Sequence, residues 1–565
     1  MGPAFARAAY AAGATLLLAA FWVAADWSDR YLMHYGSFTP SRGDVTAKLN
    51  LLLFVLPATL LAVRALAGWG PSLLAAFDRL GRLRWTWLWT VAVALAVLLL
   101  AAGVRVGVLH EGPVTDDENV YEFQARIFLS GRLYLESQPP EVRPFFDNQY
   151  VVNNGKWYGL YFAGHPALLA LATRLGLGEW LGPLAAALTV LLACGSARRL
   201  FGPRVAVLSG ALLLVSPFFV TLSASHLSQP SSSLMLVLFL YAWLRIQEAP
   251  RSVAWWAVAA AALAYGVLIR PQTAAAMSLP FLVCLAWRWR RGVVRPGLAG
   301  PAAAALILVA GAALALSINH ALTGNALRAG YHAYLDQGAK WVFPFGPYYT
   351  IREMSRAVTE LNFWLFGWPV SLLFVPFFAR RDLAWALAAA PLAAVTWYGL
   401  VAVPSVVALG PIYYGECIVP LAILSASGID RVASVLRERV GAALAGQALA
   451  WPLVATVAAC LTFVPVQLAS LQLMSGIARA PYDLVAARGL DRALVFVHGL
   501  PALHVEPGAW VYYHRNPRPD LSDPVLFVRD LGPERDKVLA ARLAPRTPYV
   551  MGMRGGKLVL EPLPP

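Results

Sequence analysis

Residues 115–165, TDDENVYEFQARIFLSGRLYLESQPPEVRPFFDNQYVVNNGKWYGLYFAGH, gather acids, aromatic rings and turn residues between two long apolar blocks. Asp116, Asp117 and Glu118 come soon after the apolar run 86–109. Each acid would cost roughly 2.5–3.5 kcal/mol at the centre of a bilayer. The acids therefore belong outside the hydrocarbon, and the rest of the chain is read outward from them.

Composition fixes the broad class. Of 565 residues, 59% are hydrophobic and only 13% charged, which describes a polytopic membrane protein and not a soluble one. The formal charge of +15 does not point to nucleic acid, because the arginines cluster at the ends of apolar runs and not on one basic face. Cys194, Cys284, Cys417 and Cys460 lie in or beside apolar stretches without metal-ligand spacing and read as small buried hydrophobes. The run 8–25 is long for the core of a signal peptide, and many further runs follow, so it reads as an uncleaved first helix.

Counting runs long enough to cross ~30 Å of hydrocarbon predicts about thirteen transmembrane helices, at 8–25, 50–66, 86–109, 178–197, 205–222, 230–246, 252–269, 272–287, 298–318, 361–379, 383–402, 412–429 and 445–468. Arg79, Arg82 and Arg84 precede the third run, Arg198, Arg199 and Arg204 follow the fourth, and Arg288, Arg290 and Arg291 follow the eighth. With Arg380, Arg381, Arg431, Arg437 and Arg439, all of these fall on one side if the N-terminus is cytoplasmic. Segments 110–177 and 319–360, the turn 411–416 and the tail then face outward. The expected fold is an all-α polytopic protein of a bacterial inner membrane with a small extracytoplasmic C-terminal α/β module. Its parts are an N-terminal transmembrane hairpin at 1–85, a membrane core at 86–470 and a tail at 471–565.

Local patterns fill in the outer segments. Thr115 with Glu118 three residues on is a capping box, and Val120, Phe123 and Ile127 recur at helical spacing up to Ser130-Gly131, which predicts an amphipathic surface helix. Asn153-Asn154-Gly155 predicts a hairpin turn between 149–152 and 156–158, and 166–175 a second interfacial helix. In the tail, short β-rich runs at 493–497, 509–513 and 525–528 precede a helix starting after Pro533, with further strands at 549–554 and 557–560. His504 and His514 lie there without metal-ligand spacing, so the module reads as structural or acceptor-docking.

Asp117-Glu118-Asn119-Val120-Tyr121 beyond an apolar helix, followed by a helix ending in Ser-Gly, resembles the first outer loop of the GT-C glycosyltransferases. These include the protein O-mannosyltransferases and the aminoarabinose transferases of lipid A. Arg270-Pro271, residues 319–324 (NHALTG), 363–369 (FWLFGWP) and 410–414 (GPIYY) followed by Glu416 resemble further segments of bacterial members. One departure stands out: two runs precede the acidic loop here where the family core commonly begins with one. The resemblance implies a sugar donor on a polyprenyl phosphate, surrounding membrane lipid and an extracytoplasmic acceptor that is lipid, glycan or protein.

Such a transfer needs a base for the acceptor hydroxyl and donors for the leaving phosphate. Asp117 is the expected base, with Asp116 and Glu118 as further catalytic candidates, although acids in a helix's first turn also favour its dipole and Glu118 completes the capping box. Arg270, at a span end in a very short turn, is the favoured phosphate ligand, ahead of Arg126, Lys156, His165, Arg143 and Arg328. An arginine there could equally reach lipid headgroups. His165 and His226 read as satisfied interfacial histidines, and no acid partner is placed to make a hydrolase triad.

Tyr121, Tyr413, Tyr414 and Glu416 are the expected substrate contacts, with Asp336 and Glu360 as further acids near the same pocket. Most outer aromatics, Trp341, Tyr348 and Tyr349 among them, fit an interfacial belt. Asp116, Asp117, Glu118 and Glu416 could supply oxygen ligands to a divalent metal, though the sequence requires none. The competing reading is a lipid or polysaccharide transporter, which would place its charges near mid-membrane, whereas here polar residues crowd one face.

Overall fold

The computed structural model describes residues 3–24, 42–81, 86–338, 346–401, 409–498, 515–555 and 557–564. Arg82, Arg84, Trp341, His504, His514 and the strand expected at 509–513 lie outside them.

The chain is a multi-pass membrane protein, but with fewer spans than thirteen. Among the described residues seven helices are long and apolar enough to cross: Ala4–Ala24, Val45–Ala65, Thr86–Gly107, Gly178–Phe201, Ala299–Thr323, Ile412–Arg439 and Ala442–Ala487. An eighth results if Pro203–Leu214 and Pro217–Ser223, bent by 62°, are taken as one. The bend falls at Ser216, whose hydroxyl caps the second piece by accepting from the Phe219 N–H at 3.1 Å, with Pro217 at the first helical position.

The other five runs fail for physical reasons. Val253–Ile269 and Ala384–Leu400 have 17 residues each, about 25 Å of helix, at the short limit for ~30 Å of hydrocarbon. Gln229–Glu248 opens on buried Gln229, Ser231, Ser232 and Ser233, and Pro271–Arg290 carries Pro280 inside and Arg288 and Arg290 at its end. Run 361–379 is not one helix: Pro347–Trp364 ends inside it, and turns lead to a short 3-10 segment at Val375–Phe377.

The first outer segment forms as its pattern predicts. The capped helix Asp116–Leu129 has Thr115 as N-cap with the full capping box, and buries Val120, Phe123 and Ile127. Strands β1 (Leu135–Glu136), β2 (Val151–Asn153) and β3 (Lys156–Gly159) form an antiparallel sheet in the order β1-β3-β2, turning at Asn154-Gly155. The second helix is Gly164–Arg174.

In the tail, β4 (Ala493–Val497), β5 (Val525–Arg529), the helix Pro533–Arg542, β6 (Thr547–Arg554) and β7 (Lys557–Pro562) match the expected pattern. The strand order is β5-β4-β6-β7, with β4 parallel to β5 and β6, and β7 antiparallel. Alternate residues of β4 and β5 point to opposite faces. Leu494, Phe496, Leu526 and Val528 share one core with Val120, Phe123, Ile127 and Trp157 of the outer segment. On the opposite face, Val495, Val497 and Phe527 pack with Val485 of the helix Phe463–Ala487. The tail sheet therefore backs the capped helix directly.

Candidate active site

The capped helix is pressed between the tail sheet and the membrane helices, so its first turn is fixed from both sides. Glu118 is fully buried and wholly engaged. One oxygen accepts from the N–H groups of Val114 (3.0 Å) and Thr115 (3.2 Å) and the Thr115 hydroxyl (3.1 Å); the other accepts from the His226 N–H at 2.8 Å. Burial raises the Glu118 pKa, against these N–H donors and the His226 and Arg105 charges. Its four acceptor bonds describe a group that ties the helix to the 225–229 turn.

Asp117, one residue earlier, faces a different set. Its carboxylate accepts from the Tyr161 hydroxyl. Burial raises its pKa, while the Tyr161 hydrogen bond and the Arg270 charge pull it back. Asp116 has no such help: burial and the Asp117 charge together push it up to about 8.

Arg270 reaches this place through a backbone contact. A Cβ on Gly164 would come within 2.7 Å of the Leu268 carbonyl, and the Tyr265 hydroxyl donates to the Gly164 carbonyl at 2.9 Å. Only glycine lets the start of the second outer helix seat against the end of Val253–Ile269, immediately before Arg270. The guanidinium Nε then lies 2.9 Å from a Glu416 oxygen, Nη2 donates to the Tyr398 hydroxyl at 3.1 Å, and the Tyr413 ring lies 5.9 Å away.

Aromatic rings pack around this cluster. Tyr121 packs on Tyr161 (4.8 Å between centroids) and edge-on to His165 (4.8 Å), and its hydroxyl donates to Ser228 Oγ at 3.1 Å. Tyr161 also meets Tyr150 (6.0 Å) and Tyr331 (5.7 Å), the latter from the short helix Gly330–Asp336 of the second outer segment.

Of the residues singled out in the sequence, Asp117, Asp116, Tyr121, Arg270, Tyr413 and Glu416 come together here. Tyr414 is adjacent but buried, edge-on to Tyr398 at 5.6 Å. The others point elsewhere. His165 Nε2 lies 2.7 Å from the His226 carbonyl and Nδ1 3.1 Å from Ser231 Oγ. Burial lowers its pKa to about 3, so it is neutral.

Arg126 donates to the Glu122 carbonyl at 3.3 Å and feels Glu122, Asp523, Arg515 and Arg518, towards the tail. Lys156 gives its ammonium to the Ala321 carbonyl and stands 4.6 Å over the Tyr134 ring. Arg328 pairs with Asp336 at 2.6 Å, and Glu360 with Lys48 of the N-terminal hairpin. Arg143 lies near Asp147, whose pKa burial raises against the Asn153 hydrogen bond and the Arg143 charge.

Four acids had offered oxygen ligands for a divalent ion. Glu118 is spent on N–H donors and Glu416 faces Arg270, so the set does not converge; among the described residues no three His, Cys, Asp or Glu gather as a metal site.

Sequence reasoning passed over Tyr398, Thr273, Tyr331 and Ser228, and a polar network at the lower edge of the site. Arg105, one turn from the end of its span, donates to Glu179 (2.8 Å from Nε) and to the Ala224 carbonyl (3.2 Å), with Nη2 3.2 Å from His226 Nδ1. His226 Nδ1 also lies 3.0 Å from Glu122. The signal was an arginine inside an apolar run with Glu111 and Glu122 just beyond it.

Residues 165–314 match the family model described as dolichyl-phosphate-mannose-protein mannosyltransferase. No curated protein matches the sequence. Among solved structures, ArnT from Cupriavidus metallidurans in the apo state superposes with a TM-score of 0.53 at 18% identity, covering 84% of this chain and 96% of that one. ArnT bound to undecaprenyl phosphate gives 0.51 at 17%, covering 84% and 97%. The likeness is one of fold, and it extends over most of both chains.

Proposed function

We propose that the protein is an integral-membrane glycosyltransferase that moves one sugar from a polyprenyl-phosphate carrier to an extracytoplasmic hydroxyl acceptor. The observation that carries this reading is one tyrosine cluster with an acid and a cation at its edges: Asp117 accepts from Tyr161, which packs on Tyr121 and Tyr331, and Arg270 stands by the Tyr413 ring and Glu416. A carboxylate and a guanidinium so arranged are what displacement of a phosphate from an anomeric carbon requires. The ArnT structure with undecaprenyl phosphate supports the donor class, and the recess at the outer end of Val253–Ile269 supports an interfacial location.

In the proposed step the acceptor oxygen forms a bond to the anomeric carbon as the carbon–oxygen bond to phosphate breaks. Asp117 takes the acceptor proton, and the phosphate leaves with the bonding electron pair, its growing charge met by Arg270. Tyr161 orients the Asp117 carboxylate, and Tyr121 and Tyr413 line the path. With the N-terminus cytoplasmic, the three spans before Asp117 put it on the outer face, and Arg270 stands beside the Tyr413 ring in the same cluster.

The test is transfer of label from polyprenyl-phosphate sugars to a membrane extract by purified protein. Asp117→Asn is expected to lower the rate by about 10²–10⁴ with folding intact. Equal transfer by wild type and variant removes Asp117 as base; no transfer by folded wild type with any donor turns the reading towards a transporter.

A further inference from the structure

Arg270 is held on its buried side by more than geometry requires. Nε faces Glu416 at 2.9 Å and Thr273 Oγ1 at 3.4 Å, Nη2 donates to Tyr398, and the Tyr398 hydroxyl lies 2.6 Å from Thr273 Oγ1. The Glu416 side chain is 0% exposed, while that of Arg270 keeps 14%. The carboxyl group sets an acidic partner against the guanidinium in a place where charge is poorly screened.

Charge arithmetic indicates what that acidic partner does, given the reading that Arg270 meets the phosphate. A polyprenyl-phosphate sugar is a phosphodiester with one negative charge. The polyprenyl phosphate left after transfer is a monoester with about −1.5 to −2 at pH 7. An uncompensated buried guanidinium would therefore hold the product more tightly than the donor, and the enzyme would stall on it. Pairing with Glu416 offsets the guanidinium charge from its buried side in the empty site and narrows that difference.

We propose that Glu416 is a positioning residue that competes with the phosphate for Arg270 and so sets how readily the spent polyprenyl phosphate is released. It touches neither sugar nor acceptor; it acts through the guanidinium. A residue that merely braced Arg270 would give the opposite sign on removal, because a misplaced guanidinium binds phosphate less well.

The experiment measures binding of a polyprenyl monophosphate to purified protein in detergent for wild type, Glu416→Gln and Arg270→Gln, with thermal stability recorded with and without ligand. Glu416→Gln is expected to bind about tenfold more tightly, within the usual range for coupled sites, to gain more thermal stability from the ligand than wild type does, and to turn over more slowly with marked product inhibition. Equal or weaker binding by folded Glu416→Gln overturns the proposal. If that variant does not fold, Glu416→Asp, with the charge kept but drawn back by one methylene, is expected to bind more tightly than wild type, and unchanged or weaker binding overturns the proposal. Arg270→Gln is expected to lose binding; if it binds as wild type does, the assignment of Arg270 to the phosphate fails instead.

Discussion

Glu118→Gln separates the structural from the catalytic role of the acidic cluster. Three donors converge on one Glu118 oxygen and the His226 N–H on the other, all in a fully buried place. A glutamine can offer an oxygen to one side only. With its oxygen kept on the three-donor side, its amide nitrogen meets the His226 N–H, so one charge-assisted bond is lost and a buried donor is orphaned. Each of these costs about 1–3 kcal/mol, and they overlap, so a destabilisation of about 2–4 kcal/mol is expected. Unfolding in detergent by heat or denaturant reads the stability, and initial transfer rate per folded molecule reads the chemistry. The rate should stay within about threefold of wild type at the permissive temperature. A hundredfold loss of rate in a protein of unchanged stability would refute the reasoning and make Glu118 a reacting group.

Two further predictions concern the same region. Asp116 titrates at about 8 when folded against an ordinary 3.8, so between about pH 4 and 8 the folded chain keeps a proton that the unfolded chain has released, and wild-type stability falls as pH rises through that window. Asp116→Asn should remove this loss, matching wild type near pH 4 and exceeding it near pH 8 in melting temperature; parallel pH profiles would overturn the assignment. Gly164→Ala forces a methyl to within 2.7 Å of the Leu268 carbonyl, and overpacking of this kind costs about 1–3 kcal/mol. Because the strained backbone leads straight into Arg270, polyprenyl-phosphate affinity should fall along with stability, and a stability loss at unchanged affinity would show that the two segments are not coupled.

The outer segment was legible because its signals are local. Thr115 and Glu118 at capping-box spacing, the Val120–Phe123–Ile127 stripe and the Asn153-Asn154-Gly155 turn each specify a few neighbouring backbone angles, and the structure forms all three. The tail strands were legible for the same reason, their apolar runs being bounded by turn residues. The span count was not. Apolarity measures removal from water, and it does not separate a helix bathed in lipid from one enclosed by protein. Gln229–Glu248 shows the difference: its buried first turn is Gln-Pro-Ser-Ser-Ser, and Trp243 is enclosed with its N–H given to the Phe281 carbonyl at 3.0 Å.

The site divides along the same line. Asp117 could be singled out because it stands in a run of acids beside an apolar block, and Arg270 because a charge precedes a proline at a span end. What distinguishes Asp117 from Glu118 is not in the motif at all. It depends on the direction of the two side chains on consecutive helical positions about 100° apart: Glu118 turns towards the His226 turn and is consumed there, while Asp117 turns towards Tyr161 and Arg270. The tail sheet packs Leu494 and Phe496 against the Val120–Phe123–Ile127 stripe on another face of the helix. A module whose sequence carries no catalytic motif thus packs against the helix that carries the three acids, a contact visible only in the three-dimensional packing.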